Sequence, residues 1–404
     1  ILPGDKPLLP GLAGDACNEV VLGLAGIADA RRDAAAREHH IESTREADID
    51  QALRRIMRVR FRLGEFDPPG SVPYTKISPS IIDSPQHRHV ALRVAREAIV
   101  LLKNDGNLLP LDRTAIKTVA VIGPMAAQIT QGAQYTGLSS SFPSNLDGIR
   151  SKLGGAAEVL YARGSGVLES DNPEASLKEA EDAAKKADVA ILFVGTNDKI
   201  ERETLDRTAL TLPSVQSELV RRVRAANPRT VLVLQNGGPV SLAPTQIEYL
   251  TGYIFPGEKS AEAPAMLDMF WAGEEGANAI ADVLFGDYNP AGRLPYTAYR
   301  SDTFLQPMND RDITKGETYL YFAGTPEYPF GHGLSYSTFA YDRLSVAAEL
   351  QPGAALVVQA QVQNTGKRDG DEIVQIYARN LAAASVKLPR QQLVAFQRGL
   401  FASQ

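Results

Sequence analysis

Apolar positions recur with three different spacings along this chain, and the changes of spacing divide it. Residues 1–40 carry no sustained pattern and are rich in Gly and Ala, so no element is assigned to them. From Glu46 the stretch ADIDQALRRIMRVRFRLGEFD sets Ile49, Leu53, Ile56, Met57 and Phe61 on one face of a helix, with Gly64 as its stop. A Pro-rich linker from Asp67 to Pro79 follows and marks a domain boundary. A second helix should open at Asp83-Ser84-Pro85, a cap followed by proline in the first turn, and run through Val90, Val94 and Ala98.

From about Lys103 the pattern alternates between helical stretches and short β-branched runs: TVAVIG from Thr118, DVAILFVG from Asp188 and TVLVLQNG from Thr230. Continuous apolar runs of this kind suit parallel strands covered on both faces, and Ser214 to Ala226 fits the crossover helix between two of them. The region 103–300 is therefore expected to be an open, mostly parallel α/β sandwich, with 301–340 as a connecting segment. Beyond Tyr341 the period falls to two, in ALVVQAQVQNTG and EIVQIYARN around a turn at Asn364 to Gly370. A small β-sandwich over 341–404 is expected. Only about four strands fit there, against the roughly seven such sandwiches usually need, so it reads as partial.

Composition narrows the function more than the fold. With 404 residues, 44% hydrophobic and 22% charged, the chain can bury two or three cores. A net charge of −6 without a long basic run argues against nucleic acid or an anionic membrane as partner. Cys17 is the single cysteine, so neither an intrachain disulfide nor a thiolate metal cluster can form. No apolar run approaches the ~20 residues of a membrane span. The chain opens Ile1-Leu2-Pro3 with no Met and no leader, and is read as the interior of a longer product.

Candidate chemistry concentrates in VGTNDKIERETLDRTALTLP, which leaves the carboxyl end of the strand ending at Gly195. Ligands meet open α/β sheets at such loops. Asp198, Glu201, Glu203 and Asp206 lie within nine residues, interleaved with Lys199, Arg202 and Arg207. Clustered carboxyl groups suit general acid/base work, and a loop Glu can be a proton donor. On composition alone, a solvated loop of weakly paired charges is the commoner reading. The loop QYTGLSSSFPSNLDGI carries Tyr135, which on its own reads at least as well as a turn aromatic packed on its own domain as it does as a face for a ligand ring.

Two Gly/Pro/aromatic motifs, GDYNPAGRLP (Gly286 to Pro295) and YPFGHGLSY (Tyr328 to Tyr336), describe fixed loop paths and are ranked as structural, with His332 a satisfied loop histidine. Five histidines with none in ligand spacing make a metal site an unfavoured reading. Gly123 is followed by Pro and Met, with no G-x-G-x-x-G, and no G-x-S-x-G elbow occurs, so dinucleotide and serine-hydrolase readings fall away.

In order along the chain from about Ala47 to Arg398, FRLGEFDPP, AREAIVLLKNDGNLLPL, the acidic loop, NGGPV, PGE or AGEEG, and the two Gly/Pro motifs resemble glycoside hydrolase family 3. Its members are exo-acting β-glucosidases and β-xylosidases. The resemblance implies that Glu203, three residues before Asp206-Arg207 and upstream of Leu212-Pro213, is the general acid/base. Thr204 stands where a glycine is common, which leaves Glu201 as a neighbouring candidate, carried here as substrate-binding together with Tyr135. Asp206 and Arg207 are expected to hold the loop. The family's (β/α)8 barrel, which carries the nucleophilic Asp, has no match here beyond a weak echo at LAGDACNE, Leu12 to Glu19. The layout implied is a barrel remnant over 1–66, a linker and connecting helix over 67–102, the α/β sandwich, the connecting segment, and a partial fibronectin type III-like domain. KGETYLYF leans toward a β-1,4-xylosidase. A β-glucosidase, or a non-catalytic carbohydrate-binding or scaffold fragment, are the alternatives. No cofactor is called for, the partner is an oligosaccharide, a secreted or periplasmic setting is implied, and the chain alone is expected to be inactive.

Overall fold

A computed structural model of the chain describes residues 18–24, 46–129, 142–242, 262–381 other than 348, 350 and 352, and 387–403. It divides into two compact units, one of Ile1–Leu22, Val90–Val346 and Val358–Gln404, the other of Gly23–His89 and Ala347–Val357. An early strand, β1 (Asn18–Leu24), precedes the first helix.

The larger unit is built on a six-stranded sheet of order β2-β7-β6-β5-β3-β4. Its members are β2 (Val100–Asn104), β3 (Thr118–Ile122), β4 (Glu158–Ala162), β5 (Val189–Gly195), β6 (Thr230–Gln235) and β7 (Ala265–Asp268). The pairs β3–β4, β3–β5, β5–β6 and β6–β7 are parallel, as the continuous apolar runs predict. The edge strand β2 runs antiparallel to β7. Sequence reading passed over β2, β4 and β7: β2 ends in half-buried Lys103 and Asn104, half-exposed β4 lacks an apolar run, and β7 is only four residues long.

Both faces of the sheet are covered, and successive residues of one strand serve opposite cores. Val119, Val121, Ile191 and Phe193 pack with Leu146, Ile149, Ile280 and Leu284. Ala120, Ile122, Leu192 and Val194 pack with Leu177, Ala180, Leu219 and Val223. The first set meets α3 (Asn145–Leu153) and α6 (Gly276–Leu284), the second α4 (Pro173–Lys186) and α5 (Ser214–Ala226). Ser144 and Asp147 form a capping box that starts α3, and Gly154, at φ 56°, ends it. At roughly 25 cal/mol per Å2 of apolar surface, this two-sided burial dominates the unit's stability.

The Gly/Pro motifs strap the connecting segment onto this unit. Asn289 Oδ1 accepts from the Ser335 hydroxyl (2.9 Å) and Tyr336 N–H (2.8 Å), while its Nδ2 donates to the Asp369 carbonyl (3.0 Å). Leu334 N–H donates to the Leu101 carbonyl on edge strand β2 at 2.8 Å. A Cβ at Gly292 would stand 2.3 Å from the Ile99 carbonyl oxygen, so only glycine permits the crossing. His332 Nε2 lies 2.9 Å from the Leu102 carbonyl, and burial holds its pKa below the usual imidazole range. The role is structural, as the sequence suggests.

Beyond the strap, β8 (Phe339–Val346) pairs antiparallel with β9 (Leu356–Asn364), and β10 (Gly370–Ala378) with β11 (Gln392–Phe401). Phe339, Val362, Val374 and Phe401 form a small separate core. In the other unit α1 (Glu46–Arg62) is followed by three short 3-10 turns, each opened by a proline: Pro69, Pro73 and Pro79. α2 (Pro85–Ala98) begins at the expected proline. No residue of α1 is buried, and its apolar side, Ile49, Leu53, Ile56 and Phe61, is exposed. Stop residues and period determine such a helix locally; covering its face needs a partner element that the described residues do not supply.

Candidate active site

The acidic loop sits where β5 ends. Gly195, at φ 144°, lets the strand turn against the Gln235 carbonyl of β6, whose oxygen a Cβ would approach to 2.0 Å. The chain then folds back on itself, with the Asn197 carbonyl accepting from Ile200 N–H (2.9 Å) and Glu201 N–H (3.0 Å).

A four-residue reverse turn follows. Arg202 and Leu205 exchange both backbone hydrogen bonds, each at 3.0 Å, with Glu203 and Thr204 between them. Glu203 is at negative φ and Thr204 at φ 70°, the combination of a type II turn. The second corner of that turn favours glycine, and a β-branched side chain there is strained. Glu203 occupies the first corner and is exposed to solvent. Its carboxylate makes no hydrogen bond or ion pair among the described residues.

Glu201, two residues earlier, is in the opposite situation. One oxygen accepts from the Thr196 hydroxyl and from the backbone N–H groups of Gly237 (2.6 Å) and Gly238 (3.3 Å). The other meets Arg207 Nε at 2.6 Å. Only 14% of the Glu201 side chain and 12% of the Arg207 side chain remain exposed. Arg207 Nη2 also donates to the Pro239 carbonyl (2.5 Å). The pair therefore rivets both ends of the turn to the loop after β6, NGGPV. Asp206 takes no part, being exposed and without a hydrogen bond among the described residues, so the expectation that it helps hold the loop fails there and is met by Arg207 alone.

Beside the turn opens a cleft of about 410 Å3 whose walls include Glu201, Leu205, Arg207, Gly237, Trp271 and Met308. Trp271 Nε1 donates to the Thr196 carbonyl (3.1 Å), which ties the indole to the base of the same loop. The backbone reaches Trp271 through Phe270, a non-glycine residue at φ 52°. Asp268 braces that turn: Oδ1 accepts from Phe270 N–H (3.0 Å) and Oδ2 from the Tyr296 hydroxyl (2.9 Å). Complete burial raises the Asp268 pKa to about 6, and hydrogen bonds from Phe270, Tyr296 and Asn236 offset part of that rise. On another wall, Leu210 N–H donates to Asp302 Oδ1 at 2.7 Å.

Of the residues singled out in the sequence, Glu201 and Glu203 share this loop with different surroundings, and Tyr135 lies outside the described residues. PGEK and Leu12 to Cys17 lie outside them too, whereas AGEEG leads into α6, with Glu275 just ahead of the helix. Sequence reading missed Trp271, Asp268 and Asp302. Trp271 carried a usable signal, as the only tryptophan in the chain, at the end of a strand and just before AGEEG.

The sequence signature of the glycosyl hydrolase family 3 C-terminal domain matches residues 99–336, more than half of the chain. The chain belongs to glycosyl hydrolase family 3. It is 33% identical over 393 residues to a periplasmic beta-glucosidase of Salmonella typhimurium, covering 87% of this chain and 48% of that protein. It is 36% identical over 369 residues to a beta-xylosidase of Formosa agariphila, covering 87% and 47%. The solved structure of a beta-glucosidase from Erythrobacter marinus superposes with a TM-score of 0.73 at 32% identity, covering 92% of this chain and 50% of that one. This family 3 chain thus spans about half the length of the curated relatives it matches. Among its described residues no helix is long and apolar enough to cross a membrane.

Proposed function

We propose that this chain is the acid/base-bearing part of an exo-acting, retaining β-glycosidase, with Glu203 as the general acid/base. The observation that carries the reading is the free carboxylate of Glu203 on a turn anchored at both ends by the Glu201–Arg207 pair, beside an open cleft. A group that must give a proton to a departing glycosidic oxygen, then take one from water, needs an unpaired carboxyl on a fixed support. The nucleophile comes from a (β/α)8 barrel, of which residues 1–66 are the remnant, followed by the linker and connecting helix of 67–102. Retention requires the two carboxyl groups to stand ~5 Å apart in the assembled site. Residues 341–404 are the fibronectin type III-like part. Glu201 serves substrate binding indirectly, by holding the turn, and Tyr135 is a further substrate-binding candidate on the resemblance of its loop.

Xylose is the preferred sugar in this reading, on the KGETYLYF stretch and the likeness to a beta-xylosidase; glucose is the second reading, on the likeness to beta-glucosidases. The test compares hydrolysis of aryl β-xyloside and aryl β-glucoside by the full-length enzyme and its Glu203→Ala variant, with and without azide. A large loss that azide restores supports the assignment, and the faster substrate names the sugar. An unchanged rate overturns it. The 404 residues alone are expected to turn over neither substrate.

A further inference from the structure

A second cleft, of about 550 Å3, lies in the larger unit, away from the acidic loop, where the connecting segment meets the end of β10 and the start of β11. Its volume is in the range of small-molecule sites. Its walls combine aromatic rings with cations. Tyr319 and Phe330 stack at 4.0 Å between centroids, 12° from parallel, and Phe322 stands with them in the lining. Arg379 and Arg390 also line it, and no aspartate or glutamate does.

The two guanidinium groups are underused. Arg390 is fixed by its backbone N–H to the Leu320 carbonyl (2.7 Å) and by one Nη1 bond to the Phe322 carbonyl (3.1 Å), out of five donors. Arg379 makes no hydrogen bond or ion pair among the described residues. In a chain of net charge −6, a concavity lined by two arginines and no carboxylate is a selective feature. Thr297, another lining residue, has a buried hydroxyl without a partner among the described residues. Guanidinium forks match carboxylates, and aromatic walls match a ring.

We propose that this cleft binds a carboxylate-bearing sugar ring, the uronic-acid unit of an acidic oligosaccharide. The rings supply a wall for the pyranose and Arg379 with Arg390 receives the carboxylate. This cleft shares no lining residue with the one beside the acidic loop, so its test does not require turnover.

Calorimetric titration of the 404-residue chain with methyl β-glucuronoside, methyl β-glucoside and acetate decides it. Expected is glucuronoside binding at least tenfold tighter than either comparator, weakened at least tenfold by Arg379→Ala and by added salt, with Glu203→Ala unaffected. Arg379 is exposed and unpartnered, so its replacement leaves the fold intact, as circular dichroism would verify. Three results overturn the proposal: no glucuronoside binding, equal binding of acetate (a bare anion site), or full binding by Arg379→Ala.

Discussion

Glu201 and Glu203 stand two residues apart on one loop and live under different physics. Glu201 is almost enclosed, with both oxygens engaged by Thr196, Gly237, Gly238 and Arg207, while Glu203 sits on the exposed corner of the turn that Glu201 anchors. A carboxylate tied into that many bonds is poorly suited to exchanging protons with a substrate, and one without partners contributes little to stability. Under the proposed assignment the contrast separates holding from chemistry within a single motif, and it can be broken experimentally from either side.

The largest effect should come from the free carboxylate. Glu203→Gln in the full-length enzyme is expected to lower kcat by about 10²–10⁴-fold, the usual worth of a general acid/base, while leaving the melting temperature unchanged. A matching loss of stability would place Glu203 among the holding residues. Glu201→Ala should show the reverse emphasis: it strands the Arg207 guanidinium, and destabilisation of about 3–4 kcal/mol is expected by denaturant titration. An unaltered midpoint would mean that the rivet carries no load.

Asp268 extends the comparison to a carboxylate that is buried without a cation. Its folded pKa of about 6 lies above the unfolded value of 3.8, so the folded state binds the proton more tightly. Stability from this group is therefore greatest below about pH 4, falls as pH rises toward 6, and is level above that. Asp268→Asn removes the charge but keeps the acceptor for Phe270 N–H. It should raise stability at pH 7 relative to the parent by about 2–3 kcal/mol, with the gain vanishing at pH 4. A pH-independent difference between the two proteins would refute the assignment. The smallest effect concerns the tip itself. Thr204→Gly relieves a strained left-handed conformation and should stabilise by about 1 kcal/mol, seen as a slightly higher denaturation midpoint.

Much of the α/β unit is legible without coordinates because β3, β5 and β6 are buried on both faces and so must be written as unbroken apolar runs. The strands that escaped are those whose apolar signal is short or half exposed, such as β4 and β7. The helix predicted from Glu46 is present, yet its apolar side is not covered, since periodicity reports what a segment could bury and not what covers it. The acidic loop could be located from its charges and its place after a strand. The division of labour inside it could not, because two of the groups that bind Glu201, the N–H groups of Gly237 and Gly238, come from more than thirty residues away.

The sequence by itself determined β3, β5 and β6, the crossover helix α5, the helices that open near Glu46 and at Pro85, and which loop carries the spare carboxylates. These follow from local propensity and from period, which act over a few residues. Tertiary structure alone decided that β2 pairs antiparallel at the sheet edge, that Trp271 lines the cleft beside the acidic loop with Asp268 bracing the turn before it, and that Glu201 is bound while Glu203 is free. Burial and ion pairing are properties of what surrounds a group in space, and two glutamates two residues apart can differ in nothing else.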